Sequence, residues 1–146
     1  MPLYETSEHL AEEELMKQDY ESRHPYTLEK LPIKYSMDYA ACCGTKGNVI
    51  RYFVEFKRRH KLSTDHPYYL IDCHKVKEAQ ALWDTFKKPT VLVVKFDDQT
   101  GWITLASEDA PMQNYRMIMT SRKDRGDPND YQPYVMFPVK DFTWFR

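Results

Sequence analysis

The stretch Tyr52-Phe53-Val54-Glu55-Phe56-Lys57-Arg58-Arg59 decides how the rest of the chain is read. Its aromatic and β-branched residues are those of a buried strand, yet Glu55 and Lys57 interrupt them. Taking a carboxylate or an ammonium out of water costs several kcal/mol per ion unless the charge is paired or binds a metal. At i and i+2 of a strand the two share a face, roughly 6.6 Å apart at about 3.3 Å per residue. One apolar run earlier, Ile33-Lys34-Tyr35-Ser36-Met37-Asp38-Tyr39-Ala40-Ala41 carries a further carboxylate. If the two runs pair as a hairpin, Asp38 and Glu55 converge on one hard cation, with Lys57 beside it.

Gly44-Thr45-Lys46-Gly47-Asn48 is a turn-rich link of the kind that joins antiparallel neighbours, so strands are expected over 33–42 and 49–58. Upstream, residues 6–20 read as a carboxylate-rich helix with Thr6 or Ser7 as its cap, ended by His24-Pro25. Downstream, a loop from Leu62 to Tyr68 precedes a helix over 73–87, capped by Asp72 and closed by Pro89. Val76, Ala79, Trp83 and Phe86 are spaced to form that helix's buried stripe. The unbroken apolar run from Thr90 to Phe96 predicts a central strand buried on both faces. Asp97 to Gly101 then turns the chain into a strand at Trp102–Leu105. A further strand is expected over Tyr115–Thr120, a polar surface loop over Ser121–Asp130, and an edge strand at Val135–Pro138. This order predicts one small α/β domain over residues 1–146, a mixed sheet flanked by helices.

With 146 residues, 42% of them hydrophobic, the chain is long enough for one domain with its own core. The formal net charge of −1 excludes a global basic field. Any nucleic-acid partner must therefore be met by local charge, and Lys57-Arg58-Arg59-His60-Lys61 is a dense basic run. No segment approaches the ~18 consecutive apolar residues of a membrane span, so no membrane partner is expected. The start of the chain lacks the basic and apolar regions of a signal peptide. Three cysteines, two of them the adjacent Cys42 and Cys43, do not make a disulfide framework, and a reducing cytoplasm is the expected compartment. Zinc is not expected either. No Cys-x₂-Cys spacing occurs, and adjacent cysteines on a strand point to opposite faces. The aromatic stretch Phe142-Thr143-Trp144-Phe145 reads as a packed tail.

The helix carboxylates, Asp38 and Glu55-x-Lys57, in that order, make the chain resemble the PD-(D/E)xK nuclease superfamily, and more closely its small stand-alone bacteriophage members. The resemblance runs over most of the chain. It takes in Tyr4-Glu5-Thr6, the helix with Glu13, Leu31-Pro32, Asp38-Tyr39 and Val54-Glu55-Phe56-Lys57. It continues through Tyr68-Tyr69-Leu70-Ile71 with His74-Lys75, Leu92-Val93-Val94, and Asp127-Pro128 with Asp130 and Pro133. Met37 stands where the proline of the motif's name would be, and Glu12-Glu13-Glu14 crowds the helix position.

The resemblance implies a restriction-endonuclease-like fold and Mg²⁺-dependent hydrolysis of DNA phosphodiester bonds, with Mn²⁺ able to substitute. Asp38, Glu55, the Phe56 backbone carbonyl and Glu13 would ligate the metal, and Lys57 would orient the attacking water. Glu13 is the family position, nine after Tyr4, whereas a helical wheel favours Glu14 beside Leu10. Arg58, Arg59 and Lys61 are expected phosphate contacts, together with Lys75 at the anion-favouring start of the second helix. For a phage-encoded chain the compartment would be the host cytoplasm. A homodimer would suit two cuts on a duplex, and the sequence does not decide it. The alternatives left open are a nuclease fold that binds nucleic acid or builds structure without turnover, and a nuclease for RNA or branched DNA.

Overall fold

The computed structural model describes residues 6–32, 34–43, 49–108, 115–121 and 131–146. Helix α1 (Ser7–Arg23) starts where Thr6 Oγ1 accepts the His9 amide and ends at His24, ahead of Pro25. It runs past the expected end at residue 20. Strand β1 (Tyr26–Lys30) follows, between two prolines, where no strand is expected from the sequence. Strand β2 (Tyr39–Cys43) is shorter than expected, because residues 34–38 form turns and bends. Strand β3 (Val49–Arg58) matches the expected span, while the link at 44–48 lies outside the described residues. Strand β4 (Tyr68–Asp72) begins at the end of what reads as a loop. Helix α2 (Cys73–Phe86) has Asp72 as its N-cap, accepting the His74 amide at 2.8 Å. It stops at Lys87, whose amide donates to the Trp83 carbonyl at 2.9 Å and whose left-handed backbone (φ 55°) turns the chain out of the helix. Strands β5 (Thr90–Lys95), β6 (Thr100–Ala106), β7 (Arg116–Thr120), β8 (Gln132–Pro138) and β9 (Thr143–Trp144) complete the order. Of the expected polar loop, residues 122–130 lie outside the described residues.

The main sheet has the order β1-β2-β3-β5-β6-β9, antiparallel throughout except for the parallel β3–β5 pair at its centre. A second sheet runs β4-β8-β7. Each central strand divides its side chains between two cores. Val54, Phe56 and Val93 face Met16 and Tyr20 of α1, with Leu28, Tyr39 and Ala41. Leu92, Val94, Ile103 and Leu105 face Val76 and Ala79 of α2 and Tyr69, Ile71, Val135 and Phe137 of the second sheet. Leu92, Val93 and Val94 are all buried, which is why this run is apolar without alternation.

Two expectations need correction. Strand β8 is the middle strand of its sheet, not an edge. Pro133 and Pro138 sit near its start and at its end, where few ladder bonds are lost to a missing N–H. Phe86 is 60% exposed rather than part of the buried stripe, because it is the last residue of α2 and overhangs the core. Met37, in the place of the motif proline, is buried in the α2-side core. The C-terminal aromatic stretch packs as expected, with Phe142 buried and Trp144 stacked on it.

Candidate active site

Period-2 alternation on β3 sends Val54 and Phe56 toward α1 and sends Glu55 to the opposite side, where it is 3% exposed. Asp38 sits one residue before β2, its amide donating to the Val54 carbonyl at 3.1 Å. The Phe56 amide donates to Asp38 Oδ2 at 2.8 Å, so β3 itself fixes the orientation of the Asp38 carboxylate beside Glu55. Burial above all, and then the Asp38 charge, push the Glu55 carboxyl up to about 8, against the pull of Lys57 and Lys75. The two ammonium groups at hand do not offset the cost of burying this carboxylate beside Asp38.

Lys75, in the first turn of α2, places Nζ 2.6 Å from Glu55 Oε2 and also donates to the Ser36 carbonyl. Burial lowers the Lys75 pKa, but Glu55, with help from Glu78 and Asp38, outweighs it and raises the group above its ordinary range. Oε2 of Glu55 is buried and accepts no well-aligned hydrogen bond, so its contact with Lys75 is chiefly one of charge.

Glu13 lies on the other side of the sheet. Its Oε1 is 2.7 Å from Lys30 Nζ, which in turn is 3.9 Å from Asp38 Oδ1. Lys30 thus stands between the helix carboxylate and Asp38. It is a site residue that the sequence alone does not point to, because β1 itself is hard to recognise there; the signal available is the Tyr26-Thr27-Leu28 run. Burial, and next the Glu13 carboxylate, raise the Tyr39 phenol above its ordinary range. Glu14 is exposed and bonded to Gln18, and Glu12 is 3.3 Å from His60, so Glu13 is the helix carboxylate on the Asp38 side. Among the described residues, no three His, Cys, Asp or Glu side chains form a metal-holding group. The structure sets Asp38 beside Glu55, and Glu13 on Lys30, which itself reaches Asp38.

Lys57 shares the Glu55 face of β3 and is half-buried; its charge acts on Glu55. The basic run beyond it is less free than its composition suggests. Arg58 is committed to Asp97 Oδ1 at 2.7 Å and to the Lys95 carbonyl at 3.1 Å, a clamp on the β5–β6 turn. Arg59 stacks over Tyr69, 5.0 Å from the ring centroid. Lys61 is exposed, and its carbonyl accepts the Asp97 amide. Lys75, expected on a phosphate, points into the carboxylate pair instead.

Asp38 and Glu55 are all-oxygen donors, and Glu55 Oε2 is buried against a cation already, with Lys75 Nζ 2.6 Å away. Mg²⁺ is held in many sites by one or two carboxylates, with water filling the remaining positions. The donor set fits such a cation.

The family model described as "Phage putative PDDEXK endonuclease" matches residues 1–145. The chain belongs to this PDDEXK endonuclease family. It is therefore a nuclease, a hydrolase of phosphodiester bonds. A Holliday junction resolvase from Archaeoglobus fulgidus is similar in structure, with a TM-score of 0.50 at 10% identity over 90% of this chain and 88% of that one. At that identity the likeness concerns the fold, and the endonuclease has the mixed sheet and flanking helices of the restriction-endonuclease-like architecture. No curated protein sequence matches the chain. No helix among the described residues is long and apolar enough to cross a membrane.

Proposed function

We propose that this endonuclease cleaves DNA with a divalent cation, Mg²⁺ by preference and Mn²⁺ in its place, held by Asp38, Glu55 and the Phe56 carbonyl. The observation that carries the reading is the pairing of a fixed carboxylate, Asp38 on the Phe56 amide, with a buried one, Glu55, whose pKa burial and the neighbouring Asp38 charge push up to about 8. The cation, when bound, supplies Lewis acidity and a more acidic water. Asp38 is held in orientation by the Phe56 amide, and Glu55 by the wall of the α2-side core. Lys57 orients the attacking water from the same strand face and offsets phosphate charge. Glu13 acts at one remove, setting Lys30 against Asp38. Phosphate contacts come from Arg59 and Lys61, while Arg58 holds the turn beside them.

The test is a cleavage panel of single-stranded, duplex, flapped and four-way DNA plus RNA, with Mg²⁺, Mn²⁺ or chelator. DNA cleavage that needs metal and vanishes in Glu55→Gln supports the reading. Cleavage of RNA alone, or full cleavage by Glu55→Gln, refutes it. The four-way arm belongs in the panel because a junction resolvase shares the fold.

A further inference from the structure

Lys75 is oddly placed for a structural lysine. It lies in the first turn of α2, where the helix dipole and free amides favour anions and disfavour an ammonium. It reaches back from there to a carboxylate that is 3% exposed and also holds the Ser36 carbonyl, two residues before Asp38. As a source of stability the arrangement is poor, since a buried ion pair is commonly matched or exceeded by apolar residues of the same volume. Its geometry has another use. Lys75 Nζ stands 2.6 Å from Oε2, on a carboxylate that lies beside Asp38. A cation shared by Asp38 and Glu55 would have to compete with that ammonium for the same carboxylate oxygen.

We infer that Lys75 is a positioning residue that holds Glu55 in the metal-free enzyme and is displaced when a divalent cation takes the Asp38–Glu55 pair. The inference rests on the proposed metal site. Lys75 keeps two neighbouring carboxylates compatible with folding until metal arrives, and it sets the concentration at which metal wins. Letting go of Glu55 also loosens its hold on Ser36, so loading the ion and easing the segment that leads into Asp38 become one event.

The experiment is calorimetric titration of Mn²⁺ into wild type, Lys75→Met, Lys75→Arg and Glu55→Gln, without DNA. Lys75→Met keeps the unbranched apolar stem and removes the competing charge, so it should bind Mn²⁺ at least about tenfold tighter, a gain of roughly 1.4 kcal/mol. Lys75→Arg restores the charge and should return affinity toward wild type. A purely structural lysine would leave metal affinity unchanged or weaken it, and either result for folded Lys75→Met overturns the inference. If Lys75→Met does not fold, wild type decides, by amine acylation of Lys75 followed by mass spectrometry with and without saturating Mg²⁺. A several-fold faster reaction with Mg²⁺ supports displacement, and an unchanged rate overturns it. Glu55→Gln separates the two levels. If it binds Mn²⁺ as wild type does, the metal site itself is wrong; if it loses binding while Lys75→Met gains none, only the role of Lys75 falls.

Discussion

Glu55 makes the metal-free stability of this endonuclease depend on pH in a direction opposite to most carboxylates. In the folded chain its pKa is raised from 4.5 to about 8, so the native state holds a proton that the unfolded state has released between those values. Wherever the unfolded state binds fewer protons, stability falls as pH rises. The contribution is therefore present in full below 4.5, is lost progressively up to about 8, and changes little above that. Glu55→Gln keeps the volume and cannot ionise. At about pH 5 both proteins present an essentially neutral side chain to Lys75 and Asp38, and their stabilities should differ by less than about 1 kcal/mol. By about pH 8 the variant should be the more stable by up to about 4 kcal/mol, a ceiling that water entry and relaxation will lower. Urea unfolding in chelator at several values between about pH 5 and pH 8 measures this, with m-values checked for constancy. A wild-type-minus-variant difference that stays flat across the range, or that favours wild type at its alkaline end, would refute the argument that burial beside Asp38 sets the Glu55 charge.

Lys57→Ala should still bind Mn²⁺, no more weakly than wild type, by calorimetry while plasmid nicking falls by about 10²–10³-fold, the usual worth of a group that stabilises charge developing in the transition state; full nicking removes Lys57 from the mechanism. Arg59→Ala with Lys61→Ala should lower the slope of log affinity against log salt by about two in fluorescence-anisotropy DNA binding, about one for each phosphate no longer neutralised. An unchanged slope would take both residues off the DNA. Arg58→Ala, by contrast, should cost about 1 kcal/mol of stability through loss of the Asp97 pair and leave that slope alone. An added Cβ at Gly101 would meet Trp144 Cε3 at 2.6 Å, so Gly101→Ala should destabilise by about 1–3 kcal/mol in denaturant titration; an unchanged midpoint would mean that β9 moves aside freely.

The sequence is most informative where one physical demand dominates. Both helix starts are legible from their caps, Thr6 and Asp72, because a side-chain oxygen beside orphan amides is a local signal. The β5 run and the β3 span are legible from apolar continuity, and Asp38 and Glu55 from the cost of placing charge among it. Strands β1 and β4 are hidden because each is five residues long and flanked by prolines or turn residues. The partner of β4 also lies far along the chain, in β8. The obscurity of β1 is also why Lys30 is invisible as a neighbour of Asp38. The basic run looks like a phosphate surface because composition cannot show that Arg58 spends its donors on Asp97 and Lys95, far along the chain. Lys75 has its place near the site from family order, but its direction depends on how α2 lies over β3.

The carboxylates and lysines of the site are divided by the sheet: Glu13 and Lys30 act from the α1 side, Glu55 and Lys75 from the α2 side, and Asp38, just ahead of β2, touches both. Such a division lets the two halves diverge separately. A substitution in α1 alters how Asp38 is held without repacking the wall around Glu55, and a substitution in α2 does the reverse. Effects of changes at Lys30 and Lys75 should therefore add, except for the part that passes through Asp38. An inherited nuclease scaffold built this way can retune one side for a new substrate or metal supply while the other keeps the chain folded.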